Sequence, residues 1–117
     1  MKHEFGQRLR KLREEKHPGL SLRKLAEKAG VEPGYLSKIE RGLERASEET
    51  IVNIAKALGE SEDVLLAMDR RVSTHLLEMI CKHPDRFRTW IESLDKMPEE
   101  VQARAVERAR TVKDGKW

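Results

Sequence analysis

The chain has 117 residues, 38% of them hydrophobic and 38% charged, with a formal net charge of +3. That length suits one domain, or one domain with an appendage, and no apolar run approaches the ~20 residues of a membrane helix. Aromatic residues at 4% and the lack of β-branched runs argue against a sheet protein. A single cysteine, Cys81, rules out an internal disulfide. Together with the charged opening MKHEFGQRLRKLREE, which is no signal peptide, it leads us to expect a cytoplasmic protein.

Taken in chain order, the periodicity predicts helices throughout. Phe5, Leu9 and Leu12, extended to Lys16, form a first stripe at spacings of three and four, and His17-Pro18-Gly19 ends it. Ser21 reads as an N-cap, with Leu22, Leu25, Ala26 and Ala29 as the next stripe and Gly30 at the helix end. Residues 33 to 41 read as a third helix. Pro33 sits at the first position, where its missing N–H costs nothing, and Gly34 leaves the first turn uncluttered. Tyr35, Leu36 and Ile39 supply its inner side, Ser37, Lys38 and Arg41 its outer side, and Gly42 closes it. Ser47 caps a fourth helix with Glu48 and Glu49 in the first turn and Ile51, Ile54, Ala55 and Leu58 as its stripe. Gly59 ends it, and Ser61 caps a fifth short helix with Val64, Leu65 and Met68 apolar.

Three further helices are predicted beyond a joint at Asp69-Arg70-Arg71. The first carries Val72, Leu76, Leu77, Met79 and Ile80. The second starts at Pro84 and carries Phe87, Trp90, Ile91 and Leu94. The third starts at Pro98, with Val101, Ala105, Ala109 and Val112. Charge is divided along the chain. Residues 8–45 carry 11 Lys and Arg against 6 Glu, whereas residues 46–69 carry one Lys against six acids. A basic stretch of this kind can present a positive face to a polyanion.

Residues 20–43, LSLRKLAEKAGVEPGYLSKIERGL, contain two short helices joined by a tight turn. With Ile54-Ala55-Lys56-Ala57-Leu58-Gly59 downstream, this pattern resembles the Cro/C1-type helix-turn-helix of the XRE regulators, over about residues 5 to 68. The resemblance implies a five-helix, lambda-repressor-like DNA-binding domain over residues 1–69; with the three-helix extension that periodicity predicts over residues 70–117, the chain is expected to be all-α. In that family the second helix of the motif enters the major groove. Carried onto this sequence, the base-reading positions are Pro33, Gly34, Ser37 and Lys38, with Glu32 and Tyr35 at the margin. Pro33 and Gly34 offer no side-chain donor, so direct readout rests on Lys38 and Ser37. Phosphate contacts fall to Ser21, Arg23, Lys24, Arg41 and Arg45. The family's pairing of a first-helix Arg with the Glu before Arg-Gly maps onto Arg13 and Glu40, a structural ion pair.

No catalytic pattern stands out, and no cofactor is expected. His75, Cys81 and His83 match no usual zinc spacing, so no metal is expected; Cys81 reads as a small buried apolar residue. The expected function is a sequence-specific transcriptional regulator, a dimeric repressor of a near-palindromic operator on double-stranded DNA. Dimerisation is expected through Leu76, Phe87, Trp90, Ile91 and Leu94 of the C-terminal helices, which also leave room for a partner protein. Two alternatives stand beside it: an antitoxin that autoregulates its operon and binds a toxin through those helices, and an interaction adaptor without DNA binding.

Overall fold

The computed structural model of the chain describes residues 4–113 together with 115 and 116, and all regular elements within them are α-helical. They are α1 (Glu4–Lys16), α2 (Leu22–Ala29), α3 (Pro33–Glu40), α4 (Glu48–Leu58), α5 (Glu62–Met68), α6 (Thr74–Lys82), α7 (Pro84–Asp95) and α8 (Glu99–Thr111). The chain divides into two compact units, one reaching Thr74 and the other starting at His75.

Local chemistry sets the helix ends of the first unit. Ser21, Ser47 and Ser61 sit in extended backbone, and each side-chain oxygen accepts from the N–H three residues on. Gly30 and Gly59 close α2 and α4 with φ of 70° and 68°, where a Cβ would be strained. α5 ends with the same wrapped turn but no glycine. Arg70 takes φ 56°, and the N–H groups of Arg70 and Arg71 return to the carbonyls of Ala67 and Leu66.

The core of this unit is built from Phe5, Leu9, Leu25, Leu36, Ile39, Ile51, Ile54, Leu58, Leu65 and Leu66, all essentially removed from solvent. α2 packs on α3 and α4, α1 on α3, and α4 on α5. One expectation needs correcting. Lys16 is exposed and lies outside the α1 stripe, and Leu12 is only half-buried. In α5, Val64 is 55% exposed, while Leu65 and Leu66 are both at 0%. The run Val64-Leu65-Leu66-Ala67-Met68 is apolar on every side, so its own periodicity does not choose a face; packing against α4 does.

The second unit holds α6, α7 and α8, with α7 and α8 packed together. Pro84 occupies the first position of α7 as expected, whereas Pro98 is the residue before α8, in extended backbone. Val72 precedes α6 and is exposed, and Val112 follows α8 in extended backbone. No residue of α6, α7 or α8 is buried. Cys81 is accordingly exposed, against the expectation of a buried one, because these short helices enclose no closed core within the chain.

Candidate nucleic-acid interface

The site is built outward from α3. Glu32 precedes it in extended backbone and makes no side-chain cap, and Pro33 takes the first helical position. The first turn therefore presents backbone N–H groups without a covering side chain. Gly34 is exposed, and nothing lies within 4 Å of where its Cβ would be. Leu36 and Ile39 anchor the inner side at 0% and 1% exposure, which aims Lys38 outward. Ser37 is half-buried, and both its hydroxyl and its carbonyl accept from Arg41 Nε, at 3.2 and 3.3 Å. The structure thus joins a base-reading candidate to a phosphate-binding candidate. Arg41 itself lies just past the last helical residue, in the C-cap position, and Gly42 follows with φ 77°.

Ser21 spends its hydroxyl oxygen on the Lys24 N–H at 3.1 Å, and Arg23 and Lys24 are exposed in the first turn of α2. Arg45 lies on the connection from α3 to α4. Its Nε donates to Asp69 Oδ2 at 3.3 Å. Four more bonds cluster there, all unforeseen in the sequence. Arg71 NH1 donates to the Ala46 carbonyl at 2.7 Å and to Asp69 at 3.3 Å. The Thr74 N–H and hydroxyl donate to Glu48 Oε1 at 2.8 and 3.1 Å.

Behind the recognition helix, Arg13 and Glu40 form a two-pronged ion pair, Nε to Oε2 and NH2 to Oε1, both at 2.8 Å. Arg13 NH1 also donates to the Leu20 carbonyl at 3.0 Å, so one guanidinium ties the end of α1, the approach to α2 and the end of α3. Both residues are buried, at 9% and 5% exposure. The hydrogen bond to Glu40 raises the Arg13 pKa despite the opposing effect of burial, so the cation persists. On the outer side of α1, Arg10 Nε donates to Glu14 at 2.9 Å and holds that carboxylate below its usual pKa.

Sequence reasoning passed over Gly6. A Cβ there would overlap the Ile39 carbonyl oxygen and lie 2.7 Å from the Glu40 carbonyl oxygen. α1 can approach the end of α3 this closely only without a side chain at position 6. Local sequence carries no signal for this, since the contact joins residues 33 and 34 positions apart. Among the described residues no three His, Cys, Asp or Glu side chains form a metal-holding group, and no helix is long and apolar enough to cross a membrane.

Comparison with known proteins agrees with this geometry. The family model described as a helix-turn-helix domain matches residues 4–68. An uncharacterized HTH-type transcriptional regulator of Mycobacterium tuberculosis is 47% identical over 60 residues, 51% of this chain and 41% of that protein. The HTH-type transcriptional regulator SinR of Bacillus subtilis is 58% identical over 40 residues, 34% of each chain. These matches span less than half the length of either curated relative. Among solved structures, the clp gene regulator ClgR of Corynebacterium glutamicum superimposes with a TM-score of 0.51 at 34% identity, over 75% of this chain and 89% of that one. With the family match covering more than half of its length, the chain belongs to the helix-turn-helix family, in the Cro/C1 (XRE) class of DNA-binding transcriptional regulators.

Proposed function

We propose that the chain is a sequence-specific transcriptional regulator that binds a near-palindromic operator as a dimer and represses by occupying it. The observation that carries this reading is the bare N-terminal turn of α3, Pro33-Gly34, flanked by the exposed cations Arg23, Lys24, Lys38, Arg41 and Arg45. Backbone N–H groups and arginines suit phosphate oxygens, and Lys38 suits guanine O6 and N7 in the major groove. Pro33 and Gly34 let the backbone come close to the base edges, while Ser37, steadied by Arg41, donates from beside them.

One such module contacts a single half-site and binds weakly; two joined modules multiply the affinity. The dimer reading is supported by α6–α8, which carry Leu76, Phe87, Trp90, Ile91 and Leu94 yet contain no buried residue. A second copy would cover that apolar surface, and aromatic anchors such as Trp90 commonly sit near the centre of such contacts. A bound dimer represses in the simplest way, by excluding polymerase from the same DNA.

Selection of duplexes from a random library by the full chain, with sedimentation equilibrium, tests the proposal. The expected motif is two-fold symmetric with half-site centres about 10 base pairs apart, bound with affinity that falls steeply as salt rises. A chain that stays monomeric at micromolar concentration, or enriches only asymmetric single sites, refutes the dimeric reading. Binding insensitive to salt refutes the phosphate contacts.

A further inference from the structure

We infer that Asp69 is a positioning residue for the DNA interface: its carboxylate holds the Nε edge of Arg45 and so sets the direction in which that guanidinium meets a phosphate. The inference rests on the DNA-binding reading above. Arg45 is 56% exposed along its side chain, while Asp69 is 11% exposed. The acid is thus sheltered beneath the base. The contact is made at the Nε edge, 3.3 Å from Asp69 Oδ2, while more than half of the Arg45 side-chain surface stays exposed. Five N–H donors in a rigid fork allow one edge to be held from behind while the other grips an anion.

Asp69 itself has a fixed address. It caps α5, with its N–H on the Leu66 carbonyl. The next residue, Arg70, turns the chain through φ 56°, and this returns Arg71 toward the α3–α4 connection. There Arg71 NH1 bonds both the Ala46 carbonyl at 2.7 Å and Asp69 Oδ2 at 3.3 Å. Thr74 closes the same seam on Glu48 at 2.8 Å. Residues 69–74 therefore run along residues 45–48 as a polar clasp. One carboxylate shared between two arginines leaves the cluster cationic, so phosphate is still attracted.

The two possible roles of Asp69 predict opposite signs. As a mere negative charge near DNA, it would repel phosphates, and its removal would tighten binding. As the support for Arg45, it spares the cost of ordering a rotamer-rich side chain on binding, and its removal weakens binding by about two- to tenfold per protomer. The test uses the full chain on a generic duplex at low salt, followed by fluorescence anisotropy, because phosphate contacts need no operator. The proteins are wild type, Asp69→Asn, Arg45→Ala and the double variant, each also titrated with salt. We expect Asp69→Asn to weaken binding two- to tenfold and to flatten the salt dependence. In the Arg45→Ala background the same change should have no weakening effect. Asp69→Asn that binds as tightly as wild type or tighter overturns the proposal, as does an equal loss in the Arg45→Ala background, which marks a merely structural effect. Should Asp69→Asn fail to fold, the Arg45 Nε–H resonance of the free wild type decides. A distinct, slowly exchanging signal supports the hold; one that averages with other exposed arginines overturns it. A wild-type chain that binds no duplex removes the DNA-binding reading itself, whereas failure of the variants alone removes only the role of Asp69.

Discussion

Gly6→Ala gives the sharpest test of how the recognition helix is seated. Position 6 lies inside α1, where helix propensity alone rewards alanine over glycine by about 1 kcal/mol. The added methyl would overlap the Ile39 carbonyl oxygen and stand 2.7 Å from the oxygen and 2.9 Å from the carbon of the Glu40 carbonyl. All three are backbone atoms, so no side-chain rotation relieves the crowding. An ordinary carbon–oxygen separation of ~3.3 Å from the Ile39 oxygen needs α1 to back away by more than about an ångström. Phe5 and Leu9, at 4% and 0% exposure, move with it and leave voids. The 2.8 Å bonds of Arg13 to Glu40 stretch as well. Overpacking of this sort costs ~1–3 kcal/mol, here at the upper end because two carbonyls are struck. Loss of part of the buried ion pair adds ~1 kcal/mol or more. After the propensity gain, a net destabilisation of about 3 kcal/mol remains, a fall of roughly 12–24 °C in the melting temperature of a unit this size. Urea and thermal unfolding followed by circular dichroism measure it. A variant as stable as wild type, or more stable, refutes the close approach of α1 to α3.

Three further outcomes follow from the same contacts. Arg13→Ala leaves Glu40 buried without its cation and should cost ~3–5 kcal/mol in urea unfolding, whereas Arg13→Met with Glu40→Met should come close to neutral; equal losses in both would contradict an ion pair whose chief contribution is geometry. Arg70→Gly removes a side chain from the left-handed turn after α5 and should stabilise the fold by about 1 kcal/mol; a loss of stability would mean that the Arg70 side chain itself matters. Lys38→Ala should relax preference at one base pair of each half-site by ~1–3 kcal/mol, and an unchanged ratio of specific to random DNA affinity would deny Lys38 a base contact.

Much of the first unit was legible because its punctuation is local. Ser21, Ser47 and Ser61 cap helices by bonding three residues ahead, and Gly30 and Gly59 end them through their own backbone freedom, so each signal sits where it acts. The Arg13–Glu40 pair, 27 residues apart, came from family resemblance, since no local pattern joins those positions. What escaped is non-local or phase-ambiguous. Gly6 looks like a mild defect in α1 until the α3 carbonyls are above it. That α5 buries Leu65 and Leu66 but exposes Val64 was not legible, because residues 64–68 are a continuous apolar run with no preferred face. The bonds joining Asp69, Arg71 and Thr74 to residues 45–48 span 24 to 26 positions, and no local pattern pairs these residues. In α6–α8 the helices were legible from their apolar spacing, but not how little of that surface the chain covers, because burial depends on neighbours that periodicity does not name.

The empty space over Gly34 bears on how such a protein changes its target over generations. A Cβ installed there meets nothing within 4 Å and lies in a right-handed turn, so folding does not oppose a side chain's first atom. Nearly any replacement even gains helix propensity. Mutations that alter recognition usually draw on the same stability reserve that keeps a small domain folded. On the proposed docking of α3 in the major groove, the two are uncoupled at position 34: an amide, a hydroxyl or a cation facing the groove can be acquired there in one step. On that reading, new operators are reachable by single substitutions at position 34, without a compensating change elsewhere in the chain.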